Sequence, residues 1–298
     1  MPCLSPALPR QIALRYAASH SDPQAQIERD GLRIASPLGD AVLRAETVDA
    51  AMAGQDWDVI LLSCKACDLE DAIRAIAPAM GEGTAVLPVL NGLSHLEALC
   101  TTFGAGRVLG GLVRFPATLG PDGLVRHLNR NCGVAFGEIA GGVSPRMSAL
   151  AEVFAAAPGL EATLSETILT DMWGKLVTLA TLAGMTVLMR GTIGEINSAP
   201  GGTALVRRML VLAARIAAAQ GHPVAPAILE AADRNFTDPA SGLTASMLRD
   251  LERGVRIEAR PVLGFLRDAG LTAGIHDPLL DAACLHAEVY ESRAATHP

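Results

Sequence analysis

The sequence predicts an α/β fold in which a doubly wound parallel sheet is followed by an all-helical domain. In the first half, the short apolar runs at residues 58–63 and 84–90 are typical of buried strands, and helical spacing lies between them. From residue 167 onward the hydrophobic periodicity is helical almost throughout. We therefore expect a sheet domain over residues 1–164 and a helical domain over residues 165–298.

The first half contains the remaining elements of the expected sheet. Further strands are expected at residues 11–17, 31–34, 41–44, 108–115, 124–128 and 134–139, and helices at residues 68–80 and 93–103. The strands at 31–34 and 41–44 flank the turn sequence PLGD, which predicts a hairpin. The run at 58–63 is apolar without alternation, as in a strand buried on both faces of a parallel sheet.

The second half predicts six helices separated by proline and glycine. These helices are expected at residues 168–189, 203–220, 225–235, 245–253, 257–269 and 278–291. The breaks fall at residues 200–202, 221–223 and 238–239, each of which contains proline.

Composition disfavours several classes of protein. The 298 residues carry a net charge of -7 and only 3% aromatic residues, whereas nucleic-acid binders usually present a basic face with stacking rings. Six scattered cysteines fit a reducing compartment. No apolar run reaches the roughly 18 residues of a membrane span without a charge or a glycine, and residues 1–10 do not resemble a signal peptide. We expect a soluble cytoplasmic protein that binds neither nucleic acid nor membrane.

Two segments of the helical half carry candidate catalytic groups. The sequence WGKL at residues 173–176 places Lys175 in an apolar run, and residues 246–264 carry a hydroxyl at Ser246 and a carboxylate at Glu258. An amine, a hydroxyl and a carboxylate can hold a 2-oxo acid and protonate its ketone. In the first half, Asn91 and Gly92 follow an expected strand, at the end where α/β sheets bind ligands.

Taken together, these segments resemble the ketopantoate reductase (2-dehydropantoate 2-reductase) family. The resemblance runs from about residue 31 to the C-terminus and rests on DVILLSCK at 58–65, LPVLNG at 87–92, WGKL at 173–176, and SMLRD with Glu258 twelve positions after its serine. It implies a Rossmann-type sheet domain, a 6-phosphogluconate dehydrogenase-like helical domain, and a place in pantothenate biosynthesis.

The resemblance also implies roles for particular residues and an NADPH cofactor. Lys175 would be the general acid and Glu258 its partner, while Ser246 and Asn91 would bind the substrate. Lys65, Asn91 and Gly92 would contact the cofactor. No metal is implied, and a homodimer is an open possibility by analogy.

The sequence departs from the family pattern at the cofactor end. The family begins with a strand and a GxGxxG turn that binds the cofactor pyrophosphate, and this sequence contains neither, so the expected Rossmann-type sheet is incomplete. The run from Gly104 to Gly110 follows a helix and precedes a strand, the reverse of the fingerprint. The basic residue expected for the 2′-phosphate of NADP has no clean match, because Ala17 occupies that position and Arg15 lies two residues away.

Further departures concern the substrate. Leu179 and Ala183 stand where the family has asparagines, and Arg260 stands where it usually has an acid. The identity of the 2-oxo acid is therefore open.

Each candidate residue also has a structural interpretation. Lys175 could extend from a helix start to the surface, Ser246 could be an N-cap, and Glu258 could lie on a solvated face. Asn91 could serve only the turn with Gly92, and Lys65 could be an exposed lysine at a strand end. The pair Cys64 and Cys67 lacks the two further ligands of a zinc site, so we interpret it as incidental.

Two hypotheses of function follow. The first is an NADPH-dependent reductase of a 2-oxo acid. The second, motivated by the absent glycine loop, is a non-catalytic or truncated reductase relic whose helical half forms dimer contacts.

Overall fold

The computed structural model describes residues 13–14, 23–44, 46–47, 54, 57–120 and 122–296. These residues form two compact units. One contains the described residues up to Val89 together with Leu99–Ile168, and the other contains Leu90–Ala98 and the chain from Leu169 onward. The short segment Leu90–Ala98, which carries Asn91 and Gly92, therefore belongs to the same unit as the helical half.

The first unit contains the strands. They are β1 (Ala13–Leu14), β2 (Leu32–Ala35), β3 (Ala41–Leu43), β4 (Glu46–Thr47), β5 (Val59–Leu62), β6 (Ala85–Pro88), β7 (Leu109–Arg114), β8 (Ala117–Leu119), β9 (Val125–His127), β10 (Gly133–Glu138) and β11 (Glu161–Leu164). The first four helices of the chain are α1 (Pro23–Asp30), α2 (Leu69–Ile76), α3 (His95–Phe103) and α4 (Pro145–Ala155).

The strands β5 and β6 are parallel, and α2 connects them. The three elements form a βαβ unit of Rossmann type. Their register pairs Val59 with Ala85 and Leu62 with Pro88, and Val86 also forms a parallel bridge to Val108. All of β6 is buried. The prediction that residues 58–63 are buried on both faces is wrong, because Leu61 is 55% exposed. The apolar run predicted a strand correctly, but burial depends on neighbours from elsewhere in the chain.

A second sheet has the order β11-β10-β7 and packs under α4. Strand β10 is antiparallel to β7 and parallel to β11. Its Phe136 is fully buried and lies in one core cluster with Leu87, Leu109 and Met147. The sequence did not predict α4 or β11.

The predicted hairpin at residues 31–44 is confirmed, but it does not join the parallel strands. Strands β2 and β3 pair antiparallel, with Leu32 opposite Leu43. They belong to a separate four-stranded sheet of order β3-β2-β9-β8. The expectation that these strands continue the doubly wound sheet is wrong in this respect. The strand predicted at residues 11–17 is described only as β1, which pairs parallel with β4, and the rest of it lies outside the described residues.

The helical unit surrounds one long central helix. Its helices are α5 (Ile168–Met189), α6 (Ile193–Ser198), α7 (Gly202–Ala219), α8 (Pro226–Phe236), α9 (Ser246–Glu252), α10 (Phe265–Thr272) and α11 (Pro278–Thr296). Helix α5 is long and apolar enough to cross a membrane, but 67% of its most apolar window is buried by the fold. That degree of burial is typical of the central helix of a protein core.

Two predicted helices differ from the structure at their prolines. The helix predicted at 68–80 ends as α2 at Ile76 and continues as a short 3₁₀ turn containing Pro78. The helix predicted at 257–269 begins only after Glu258, and its first part, Arg260–Gly264, is π-helical. A proline lacks the N–H that would continue the regular hydrogen-bond ladder, and π-helical turns are frequent at functional sites.

Candidate active site

Asn91 joins Lys175 and Glu258 in one hydrogen-bonded chain within the helical unit. The Lys175 ammonium Nζ donates to Asn91 Oδ1 at 3.2 Å, and Asn91 Nδ2 donates to Glu258 Oε2 at 3.1 Å. A lysine ammonium can only donate and a carboxylate can only accept, so both neighbours specify the same orientation of the amide. All three side chains are partly exposed, so the chain of bonds can be reached by a ligand.

The sequence around Lys175 explains how α5 presents this side chain. Trp173 is 5% exposed and stacks on His222 with ring centroids 5.9 Å apart. Gly174 is also buried, facing Val224 and Ile228. In a helix, Lys175 points about 200° away from Trp173. Burial of the tryptophan therefore turns the lysine toward the opposite, partly exposed side.

Glu258 lies between two buried residues on a segment held by α11. Ile257 is 3% exposed and Ala259 is 1% exposed. The backbone N–H of Ala259 donates to Glu291 Oε1 at 3.1 Å. Burial raises the pKa of the Glu291 carboxyl above its usual value, and this bond from Ala259 opposes the increase. Glu291 thus supplies an acceptor at the helix start that directly follows Glu258.

Gly92 has a positive φ of 80° and packs against the π-helical segment. A Cβ on Gly92 would overlap the carbonyl oxygen of Pro261. Only glycine combines this backbone conformation with so close an approach. The position next to Asn91 therefore has a packing requirement, whether or not a cofactor contacts it.

His95 lies four residues after Asn91, at the start of α3, and is 1% exposed. Neither of its ring nitrogens has a hydrogen-bond partner among the described residues. Burial, and secondarily the charge of Lys175, lower the pKa of His95 to about 4. The ring is therefore a neutral imidazole at neutral pH.

The other two predicted site residues lie on other elements. Ser246 is exposed at the first residue of α9, and its side chain makes no hydrogen bond to a described residue. Its alternative interpretation as an N-cap is wrong, because the N-cap is Ala245 and has no side-chain bond. Lys65 is exposed, three residues after β5 in the sheet unit.

The carboxyl ends of the parallel strands β5 and β6 are followed by Lys65 and by Asn91, as in ligand-binding α/β sheets. The donor set of Lys175 and Asn91 suits a ketone oxygen. The sequence has no GxGxxG turn for the pyrophosphate. The run from Gly104 to Gly110 lies between α3 and β7, so it does not supply that turn. The positions of Arg15 and Ala17 lie outside the described residues.

Other reactive groups show no comparable arrangement. Cys64 and Cys67 are not joined in a disulfide, and no group of three or more potential metal ligands occurs within the described parts of the chain.

Sequence reasoning missed His95 and Glu291. His95 had a detectable signal, because it follows Asn91 by four residues, but the histidines were considered only for metal-ligand spacing. Glu291 had none, because it contacts the Glu258 segment from 32 residues away.

Two family models match most of the chain. The model described as "Ketopantoate reductase PanE/ApbA" matches residues 16–141, and "Ketopantoate reductase PanE/ApbA C terminal" matches residues 167–291.

Individual proteins show the same similarity. The chain is 29% identical over 267 residues to an uncharacterized oxidoreductase, YkpB, of Bacillus subtilis, covering 90% of this chain and 88% of that protein. The structure of 2-dehydropantoate 2-reductase from Methylococcus capsulatus matches with a TM-score of 0.80 at 27% identity, covering 92% of this chain and 88% of that one. A D-mandelate dehydrogenase solved with NADH and anilino(oxo)acetate matches with a TM-score of 0.79 at 21% identity, covering 92% and 89%, which shows a shared fold.

Proposed function

Because the chain belongs to the ketopantoate reductase family, we propose that it reduces the ketone of a 2-oxo acid to a 2-hydroxy acid with a reduced nicotinamide dinucleotide. Lys175 is the general acid in this proposal. The observation that supports it is the chain of hydrogen bonds from Lys175 through Asn91 to Glu258. This arrangement holds one ammonium group in a fixed direction at a partly exposed site.

Lys175 has two tasks in the reaction. Its ammonium group first donates a hydrogen bond to the ketone oxygen, which orients the substrate and polarises the C=O bond. A bound reduced nicotinamide would supply hydride to C2. Lys175 Nζ gives its proton to the ketone oxygen as that oxygen gains negative charge. The alcohol is then complete, and the neutral amine regains its proton from water.

Asn91 and Glu258 position Lys175 without exchanging protons with the substrate. Glu258 accepts from the amide nitrogen of Asn91, so the amide oxygen faces Lys175. The flipped amide would present its NH₂ group to the ammonium, and two donors facing each other repel. The carboxylate therefore fixes the acceptor that holds the lysine.

The cofactor proposal is NADPH, contacted by Lys65, Asn91 and Gly92. Family membership supports a nicotinamide dinucleotide, and the D-mandelate dehydrogenase of the same fold was solved with NADH. Lys65 is exposed and basic at the carboxyl end of β5, which suits a phosphate. Ser246 remains the proposed partner of the substrate carboxylate, since its hydroxyl is exposed and makes no bond to a described residue.

The substrate proposal is a 2-oxo acid with an apolar substituent. The partly exposed face of α5 that carries Lys175 continues with Thr178, Leu179 and Leu182. The Thr178 hydroxyl donates back to the carbonyls of Gly174 and Lys175. A substrate lying along this face therefore meets mainly hydrocarbon.

The test measures oxidation of NADPH and NADH with pyruvate, 2-oxoisovalerate, phenylglyoxylate and ketopantoate. Lys175→Met keeps most of the apolar stem, and loss of a general acid should lower kcat by about 10²- to 10⁴-fold. Lys65→Met is the matched control, because these are the two lysines of the chain. It should raise KM for the cofactor and change kcat little. Turnover that persists in Lys175→Met would refute the assignment.

A further inference from the structure

His95 has two unused hydrogen-bonding atoms inside the protein. Only two described residues have buried side-chain polar atoms without a partner, and in His95 both ring nitrogens are in this state. The second residue, Asn197, still donates through its amide nitrogen to the carbonyls of Ile193 and Phe236. Buried polar atoms in native proteins nearly always have a partner, including water. We therefore expect the ring nitrogens of His95 to form a hydrogen bond to a water molecule or a ligand.

The chemistry of His95 limits what this ligand can be. The residue begins α3, a nine-residue helix, and the positive end of a helix disfavours a protonated imidazole. Burial has the same effect. A neutral imidazole has one donor and one acceptor. Its partner must therefore be a small group that both accepts and donates a hydrogen bond, or a group that bonds to only one of the two ring nitrogens.

His95 lies in the same compact unit as Asn91, Lys175 and Glu258. It follows Asn91 by four residues, and the positive charge of Lys175 contributes to the lowering of its pKa. An oxygen atom held between the imidazole and the ammonium would accept from both. Water and the oxygens of a 2-oxo acid have this chemistry.

We infer that His95 is a ligand-binding residue of the Lys175 site, which holds an oxygen atom through its neutral imidazole. In the free protein that oxygen belongs to an ordered water, and in the complex it belongs to the substrate. The identity of the substrate as a 2-oxo acid rests on the proposed function, whereas the unused polar atoms of His95 do not.

The first arm of the test measures thermal unfolding without ligand. His95→Leu replaces a poorly satisfied polar ring by an apolar side chain of similar size, which is nearly neutral or stabilising. Its Tm should equal or exceed that of the parent. His222→Leu is the matched control, because His222 is bonded to Thr170 Oγ1 at 3.0 Å and stacks on Trp173. Its Tm should fall. An equal fall in both variants would overturn the inference, since His95 would then be a structural residue.

The second arm measures binding of oxamate, an unreactive analogue of pyruvate, by calorimetry. His95→Leu should weaken binding about 10-fold, the loss of one hydrogen bond of about 1.4 kcal/mol. His95→Gln keeps a donor and an acceptor and should stay within about 3-fold of the parent, which corresponds to roughly 0.7 kcal/mol. Equal affinity in all three proteins would overturn the inference.

Nuclear magnetic resonance of ¹⁵N-histidine adds a readout in the parent protein itself. The His95 nitrogens, assigned from their absence in His95→Gln, should shift when oxamate is added. Unchanged signals in the presence of bound oxamate would count against the assignment. If the parent binds no oxamate, the 2-oxo acid function fails, and the Tm comparison alone decides the role of His95.

Discussion

Gly92 lies directly against the main chain of Pro261, and a methyl group on its Cα would overlap the Pro261 carbonyl oxygen. This approach joins the residue after Asn91 to the π-helical segment that follows Glu258. The backbone that presents Asn91 and the backbone that presents Glu258 are therefore packed together. The hydrogen bond between their side chains depends on that packing.

Substitution of Gly92 should therefore destabilise the protein strongly. In Gly92→Ala, an alanine at φ 80° costs about 1–2 kcal/mol of folding free energy. Moving the Pro261 main chain aside costs about 1–3 kcal/mol more. Gly221→Ala is the control, because its φ is 86° and a methyl group on its Cα would meet no atom within 4 Å. Urea unfolding should show a loss of about 2–5 kcal/mol for Gly92→Ala and about 1–2 kcal/mol for Gly221→Ala. Equal losses would mean that the main chain at Pro261 moves aside with little loss of free energy.

Removal of the Asn91 amide should lower activity more than it lowers stability. Asn91→Leu takes one partner from Lys175 and one from Glu258, and hydrogen bonds to charged groups contribute about 1.5–3 kcal/mol each. For a 2-oxo acid that the parent protein reduces, kcat/KM should fall about 10- to 100-fold. Asn235→Leu, at an exposed asparagine of α8, is the control and should leave kcat/KM unchanged.

Asn91→Asp separates the two bonds of the amide. It keeps an acceptor for Lys175 but places a second carboxylate beside Glu258, so repulsion replaces a hydrogen bond. Activity equal to the parent in this variant would show that the bond to Glu258 is dispensable.

The sequence predicted elements best where periodicity alone determines them. Helix α5 begins and ends at the predicted residues 168 and 189, because 22 residues of helical apolar spacing can form only one element. The segment after Glu258 was predicted poorly, since Pro261 is compatible with a helix start and its π-helical form depends on packing. The exposure of Leu61 and the separate sheet of β2, β3, β8 and β9 likewise arise from long-range neighbours.

The same distinction applies to the candidate site. The residue types of Lys175, Asn91 and Glu258 could be selected from motifs and from the family resemblance. Their order in the hydrogen-bonded chain could not, because Asn91 lies 84 residues from Lys175 and 167 from Glu258 in sequence. The burial of His95 was equally inaccessible, since histidine is found both buried and exposed and its residue type does not decide between the two.

The buried imidazole of His95 should make the protein sensitive to acid. In the unfolded chain a histidine takes up a proton near pH 6.5, whereas folded His95 does so only near pH 4. Between these values the unfolded state binds more protons, so stability falls as the pH falls. The loss from this residue is on the order of 3 kcal/mol at most.

His95→Leu lacks this titration, so urea unfolding at several pH values should show its advantage over the parent increasing from pH 7 to pH 4.5. A difference that does not change with pH would show that the pKa of His95 is the same in the folded and the unfolded state.

Glu291 should oppose stability at high pH while it supports the Glu258 segment. Burial raises the pKa of its carboxyl, so from the ordinary carboxyl range upward the folded state binds more protons than the unfolded state, and stability falls as the pH rises. Glu291→Gln is neutral at every pH and retains an oxygen for the Ala259 N–H. Its stability relative to the parent should increase between about pH 4 and pH 7, the range above the ordinary carboxyl pKa, while kcat/KM is retained. Glu291→Leu removes the acceptor and should lower kcat/KM about 3- to 10-fold, the effect of one hydrogen bond. Equal activity in the Gln and Leu variants would show that the Ala259 bond does not position Glu258.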